Sequence, residues 1–191
     1  MGSVGSCYLS EKDQLGEVCT RHGNKLGVCT RFFIPKHRFI MWLFIQGQLL
    51  TQDRLSRMGI IYGNCCFLCG LEEESHTHLF FLCVYSRVCV QMVARWFGVQ
   101  FPLNGPTDWW LRMRSTSIAK KQVIGLALAS LFYRLWGVRN TAWVESFVVC
   151  PRKLCNEIRD VVLSRIRVCN VGSVCSRVRV WLKELHSRGC V

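Results

Sequence analysis

The feature that most constrains this chain is a set of three cysteines and one histidine, spaced Cys66-x2-Cys69-x8-His78-x4-Cys83. Zn²⁺ prefers four tetrahedral ligands drawn from thiolate and imidazole, and a two-residue spacer on a tight turn lets two side chains converge on one ion. Gly70 follows the first pair and can take the positive φ that such a turn needs. The second pair is compatible with about one helical turn plus a cap. The spacing therefore predicts one structural Zn²⁺ per chain in a closed, four-ligand site.

Two ligand assignments stay open, because Cys65 precedes Cys66 and His76 lies two residues before His78. Cys66 is preferred since the two-residue spacer makes the tighter turn. His78 is preferred because residue 76 lies in a polar segment with no apolar neighbour. That segment, residues 71–77, contains three consecutive glutamates and is interpreted as a solvated link.

The chain is strongly basic, with 25 lysines and arginines against 12 acidic residues and a net charge of +13. A positive field of this size favours polyanionic partners, either nucleic acid or an anionic membrane surface. The candidate phosphate contacts lie near the first predicted helix and on the helix after residue 150. They are Lys36, Arg38, Arg152, Lys153, Arg159 and Arg167.

Thirteen cysteines, an odd number, occur without a secretory signal sequence at the N-terminus. This pattern favours a reducing, intracellular compartment, the nucleus included, rather than a secreted disulfide scaffold. The cysteines without a nearby histidine are interpreted as packing residues: Cys150, Cys155, Cys169 and Cys175. No apolar run reaches the ~18 residues of a membrane span. The myristoylation-like start Met1-Gly-Ser-Val-Gly-Ser6 lacks a following basic cluster, so no stable membrane association is expected.

The pattern of apolar residues predicts a mainly α-helical fold: a small irregular domain organised around the zinc knuckle, followed by a helical C-terminal region. We expect a loose leader over residues 1–31, a zinc-binding domain over 32–98 and a basic helical region over 99–191. The expected helices begin at Pro35, after Thr51, at Ser86 and at Asp108, followed by a long one from about Ile118 to Trp136 or beyond, one from Pro151, and a terminal segment over 174–186.

Catalytic motifs are missing from the sequence. Polymerases and nucleases hold metal ions with clustered carboxylates, whereas the aspartates here are far apart in the chain: Asp13, Asp53, Asp108 and Asp160. The sequence contains neither a glycine-rich phosphate loop nor a Gly-x-Ser-x-Gly turn. We therefore expect a protein that is not an enzyme.

These residues resemble a known family, the zinc-binding domain downstream of the polymerase in LINE-type (non-LTR) retrotransposon reverse transcriptases, abundant in plants. The matching stretches are residues 34–43, 50–55, 66–70 and 78–88, with a looser Trp136-x-x-Arg139-Asn140 element. The sequence departs from the family at Cys89, where a tryptophan is usual, and at Thr77, where an acidic residue is usual.

The resemblance implies that Cys66, Cys69, His78 and Cys83 ligate zinc in a CCHC site, and that the protein contacts RNA or DNA. The polymerase motif Tyr-x-Asp-Asp does not occur in the sequence, so the chain looks like a detached part of such an enzyme. Two alternatives are a zinc-stabilised module that docks another protein, such as the rest of a reverse transcriptase, and an inert retroelement fragment.

Overall fold

The computed structural model describes residues 33–100, 117–169 and 176–188. The predicted leader and the predicted helix at Asp108 lie outside these ranges. The helices are α1 (Pro35–Ile45), α2 (Gln52–Arg57), a π-helical turn (His78–Leu82), α3 (Val84–Phe97), α4 (Ile118–Glu145), α5 (Pro151–Val168) and α6 (Ser176–Ser187). The described residues contain no strand, only an isolated antiparallel bridge between Cys65 and Glu73. The predicted mainly α-helical fold is confirmed.

Helix α1 begins at Pro35, as predicted, because proline presets the helical φ and has no N–H to leave unpaired in the first turn. Its fully buried residues are His37, Met41 and Phe44. Phe39 and Trp42 are only partly buried. The helix therefore directs its His37–Phe44 side towards the core and leaves the Phe39–Trp42 side at the boundary with solvent.

Helix α4 is the centre of the molecule and packs against α1, α3 and α5. The predicted helix from Ile118 extends to Glu145, and Ser117 caps it by accepting a hydrogen bond from the Lys120 N–H. Apolar residues lie on most sides of this helix, as expected of an element buried by several neighbours. Its fully buried members include Val123, Leu126, Ala127, Leu131, Phe132 and Leu135.

The predicted start of α3 at Ser86 is wrong, because the helix begins at Val84 with Cys83 in the N-cap position. The Ser86 side chain is buried, and its hydroxyl donates to the Leu79 carbonyl at 2.6 Å. The hydroxyl therefore ties α3 back to the π turn instead of capping the helix. Gly98 ends the helix in the left-handed conformation, φ 66°.

Helix α5 begins at Pro151 as predicted and buries one face, which includes Leu154, Ile158, Val162 and Ile166. Arg165 falls on this apolar side, and its guanidinium donates to the Phe33 carbonyl at 3.4 Å. Helix α6 is held to α3 by the Trp96 indole N–H, which donates to the Leu185 carbonyl at 2.9 Å. Among the described residues, no helix has the length and apolar character needed to cross a membrane.

A cluster of three aromatic rings joins the zinc-knuckle segment to the C-terminal helices. Phe132 of α4 stacks on Phe44 of α1 with ring centroids 3.9 Å apart, and Phe80 of the π turn meets both edge-on at 4.8 and 5.6 Å. All three rings are fully buried. The division into domains 32–98 and 99–191 remains a prediction, and the two parts share one hydrophobic core.

Candidate metal centre

The first ligand pair lies on a tight turn that the sequence around Gly70 dictates. The Gly70 N–H donates to the Cys66 carbonyl at 2.8 Å, and Gly70 has a φ of 65° as predicted. This left-handed conformation is strained for residues with a Cβ but accessible to glycine. The Cys66 N–H donates to the Glu72 carbonyl at 2.8 Å, so the chain folds back immediately after the turn.

The second ligand pair lies on a π-helical turn rather than on a regular α-helical turn. The Cys83 N–H donates to the His78 carbonyl, five residues earlier, at 2.7 Å. This i to i+5 bond defines a π-type turn, which is rare and often marks a functional site. The four-residue spacer between His78 and Cys83 is therefore the length that this wider turn requires.

The structure gathers the predicted ligands Cys66, Cys69, His78 and Cys83, whose ligand atoms all lie within 4.8 Å of one another. The sulfurs of Cys66 and Cys83 are 3.9 Å apart, and Cys69 Sγ lies 3.3 Å from His78 Nε2. Zn–S bonds of about 2.3 Å and tetrahedral angles place two thiolate sulfurs about 3.8 Å apart. The donor set thus fits one tetrahedral Zn²⁺. Among the described residues, this is the one such cluster of potential ligands.

The protein environment favours a thiolate at Cys83. A hydrogen bond from Cys66 and the backbone N–H groups of Ser86 and Tyr85 lower the pKa of the Cys83 thiol to about 5, against the opposing effect of burial. The two N–H groups belong to the first turn of α3, where the helix dipole also favours negative charge. The hydrogen bond to Cys83 and burial raise the pKa of the Cys66 thiol.

Glu72 is a candidate partner of the metal site that the sequence interpretation missed. One of its carboxylate oxygens lies 3.0 Å from His78 Nδ1, and its side chain is 68% exposed. A carboxylate that accepts the Nδ1–H proton fixes the tautomer with Nε2 free to ligate a metal. The signal was present in the sequence, because an acidic residue near a ligating histidine is a common second partner of zinc sites.

Glu74 shows that the interpretation of residues 71–77 as a solvated link is wrong. Its side chain is 0% exposed and lies 2.7 Å from the guanidinium Nη2 of Arg139. The same carboxylate oxygen accepts hydrogen bonds from the Arg139 Nε–H at 2.8 Å and from the Gln52 N–H at 2.9 Å. The segment is therefore anchored from inside, and only its outer side is solvated.

Neither alternative ligand belongs to the cluster. Cys65 is exposed. The His76 ring donates through Nε2 to the Phe44 carbonyl at 2.9 Å and stacks on the Phe44 ring at 5.0 Å. Burial lowers the pKa of His76. The preference for His78 stands, but its stated reason was wrong, because His76 does have apolar neighbours.

The six predicted nucleic-acid contacts differ in accessibility. Arg159 is partly buried, and its guanidinium donates to the His186 carbonyl at 3.2 Å. Arg38 is also partly buried. The remaining four are exposed: Lys36, Arg152, Lys153 and Arg167. The Lys36 ammonium lies over the Tyr133 ring, 5.4 Å from its centroid. Four of the six cations are thus free to meet a phosphate without repacking.

The other cysteines among the described residues range from buried to exposed, and Cys169 is partly buried against the core. Cys89 and Cys155 are fully buried, and the Cys155 thiol lies 3.7 Å from the Cys89 carbonyl. The position where the family usually has tryptophan is therefore packed against a second thiol. The packing interpretation is wrong for Cys150, which is exposed, and Cys175 lies outside the described ranges.

The helical fold and the four-residue cluster fit a zinc-binding module. Residues 4–89 match the protein family described as zinc-binding in reverse transcriptase, and this match supports a reverse-transcriptase-type zinc-binding domain at that position. The matched segment includes all four ligand candidates. Neither a curated protein nor a solved structure matches the chain.

Proposed function

We propose that this chain is a non-catalytic, zinc-stabilised module from a LINE-type retrotransposon reverse transcriptase, of the type found in plants, and that it contacts RNA or DNA. The observation that carries the proposal is the Cys3His cluster within the segment matched by the reverse-transcriptase zinc-binding family. The four candidate ligands would fill a tetrahedral shell, which leaves no position for a reactive water. Zinc would then act by holding the fold together.

The exposed cations support a polyanionic partner. Helix α5 buries its apolar face and presents Arg152, Lys153 and Arg167 on the other side. Each cation that neutralises a phosphate releases condensed counterions, so binding should weaken steeply as salt rises. We expect the protein to bind single-stranded or double-stranded nucleic acid mainly through the backbone, with little dependence on sequence.

The test is a salt titration of binding to a fluorescent RNA and to the DNA of the same sequence. The variant Arg152→Gln/Lys153→Gln/Arg167→Gln should lower the slope of log K against log salt by about 2 to 3, because each lost contact removes somewhat less than one counterion. The matched control replaces three exposed arginines on α2 and α3 by glutamine: Arg57, Arg87 and Arg95. Binding that ignores salt, or an equal change in both variants, would contradict the proposed surface.

A second candidate function is the docking of another protein, and one surface favours it. The loop after α2 exposes three large apolar side chains: Met58, Ile60 and Tyr62. Apolar side chains grouped on a surface often mark interaction sites. Salt-insensitive association with a reverse transcriptase polymerase, together with no affinity for RNA or DNA at moderate salt, would favour this function. A purified chain that neither binds zinc nor folds would favour the inert fragment.

A further inference from the structure

The most deeply buried ion pair of the described residues lies between the knuckle loop, defined as residues 64–74, and the long helix α4. Arg139 of α4 is 1% exposed and Glu74 is 0% exposed. The pair joins residues 65 positions apart in sequence, and Arg139 lies outside the segment matched by the zinc-binding family. Neither residue of this pair is one of the four candidate ligands, so any effect of the pair on the metal site is indirect.

Three aromatic rings surround the Arg139 guanidinium. The centroids of Phe67, Trp136 and Trp143 lie 5.3, 5.2 and 5.1 Å from its central carbon. Phe67 lies between the ligands Cys66 and Cys69, and Trp143 stacks on it at 6.0 Å. The Arg139 Nη1–H also donates to the Asn140 side chain at 3.1 Å. The guanidinium is therefore fixed against the ligand turn itself.

Glu74 connects the Arg139 guanidinium to the backbone of the knuckle loop. Its N–H donates to the Asn64 carbonyl at 2.5 Å, and its carbonyl accepts from the Asp53 N–H at 3.1 Å. Gln52, whose backbone N–H donates to the Glu74 carboxylate, donates through its side chain to the Cys65 carbonyl at 2.5 Å. The segment that leads into Cys66 and the segment that follows Cys69 are thus both tied to the Glu74 position.

We infer that Arg139 is a positioning residue for the zinc site, acting through Glu74 and Phe67 on the turn that carries Cys66 and Cys69. The inference rests on the proposed zinc binding. A buried carboxylate without its cation cannot stay in place at low cost, so removing Arg139 should drive Glu74 towards water. The backbone hydrogen bonds of Glu74 with Asn64 and Asp53 would then break. The first ligand pair, Cys66 and Cys69, would lose its fixed position.

The test uses the full chain and measures zinc affinity by competition with a chromophoric chelator. Arg139→Met keeps much of the side-chain volume and should weaken zinc binding by about tenfold or more, in the range seen when outer partners of metal ligands are removed. The matched control is Arg134→Met on the same helix, which removes a partly exposed pair with Glu157 and should change the affinity less than twofold. The cobalt-substituted protein supplies a spectroscopic signature, since distorted ligand geometry shifts its visible bands.

A double variant tests whether Arg139 acts through Glu74. Arg139→Met/Glu74→Met removes the stranded charge along with the cation, so it should recover a large part of the zinc affinity and of the cobalt spectrum. Should Arg139→Met fail to fold, Arg139→Lys gives the same comparison, because lysine keeps the charge but cannot reproduce the two-point contact with Glu74.

The outcomes distinguish this inference from the proposed function. Wild-type protein that binds no zinc would refute the proposed function. Wild-type protein that binds zinc, with an Arg139→Met variant of equal affinity or with an equal loss in the Arg134→Met control, would refute the role of Arg139 alone. A double variant that stays as weak as Arg139→Met would refute the route through Glu74.

Discussion

The contact between Glu72 and His78 allows a quantitative prediction for zinc affinity. Replacing Glu72 by alanine removes the carboxylate 3.0 Å from His78 Nδ1, so the imidazole loses the acceptor that fixes its orientation. Outer partners of this kind are worth 10- to 100-fold in metal affinity. Because the Glu72 side chain is 68% exposed, water replaces part of the lost interaction, and the lower end applies. We expect about tenfold weaker binding, which corresponds to about 1.4 kcal/mol.

The measurement is a zinc competition titration at pH 7 with the wild type, Glu72→Ala and Glu73→Ala. Glu73 is the matched control, because it is exposed, adjacent and carries the same charge. A long-range effect of charge on the cation would weaken both variants equally, whereas orientation of His78 would weaken only Glu72→Ala. Equal affinities for Glu72→Ala and wild type, or equal losses in both variants, would refute the reasoning.

Three further predictions concern the ligands, the core and acid sensitivity. Cys69→Ser should lose zinc together with most of the helical circular dichroism signal, since structural zinc contributes about 10 kcal/mol or more to folding. The control Cys150→Ser changes an exposed thiol and should keep both the zinc and the signal. Phe132→Ala opens a cavity under Phe44 in the buried aromatic cluster. It should lower the free energy of unfolding by about 3–5 kcal/mol, measured by urea titration with excess zinc. An unchanged urea midpoint would contradict the shared core. Burial and the nearby charges of Arg134 and Lys36 lower the pKa of His37 from 6.5 to about 4. Between these two pH values the unfolded chain takes up a proton at His37 that the folded chain does not. The free energy of unfolding therefore falls as the pH drops from about 6.5 to about 4. His37→Gln should remove up to about 3 kcal/mol of this pH dependence, seen as a flatter profile of unfolding midpoints, and an equally steep profile would contradict the assignment.

Local chemistry was enough to predict the parts of the fold that depend on neighbours in sequence. Pro35 and Pro151 begin their helices because a proline in the first turn needs no partner for its nitrogen. Spacing pointed to the region of the ligand set, with Cys65 and His76 left open as alternatives, since Zn²⁺ restricts which cysteines and histidines can meet. The long helix from Ile118 was evident because its apolar residues lie on most sides.

Contacts between different structural elements could not be predicted. Serine is a common N-cap residue, but the π turn places Cys83 at the N-cap position of α3. The Ser86 hydroxyl instead donates to the Leu79 carbonyl. Glu74 looked like one of three solvated glutamates, and its burial depends on an arginine 65 residues further along the chain. His76 looked isolated because the ring of Phe44, on which it stacks, belongs to α1. In each case the deciding partner belongs to another element.

The π turn between His78 and Cys83 also bears on how the length of this stretch can change. Its bond from the Cys83 N–H to the His78 carbonyl encloses one residue more than a regular α-helical turn, whose bond spans four residues. Loss of one codon among residues 79–82 would leave the chain in frame and place the cysteine four positions after the histidine, and residues four apart lie on one face of an α-helix. A protein with one of these residues deleted should therefore close an ordinary α-helical turn and still bind zinc. A zinc competition titration of the deletion variant checks this, and loss of zinc would show that the wider turn itself is required.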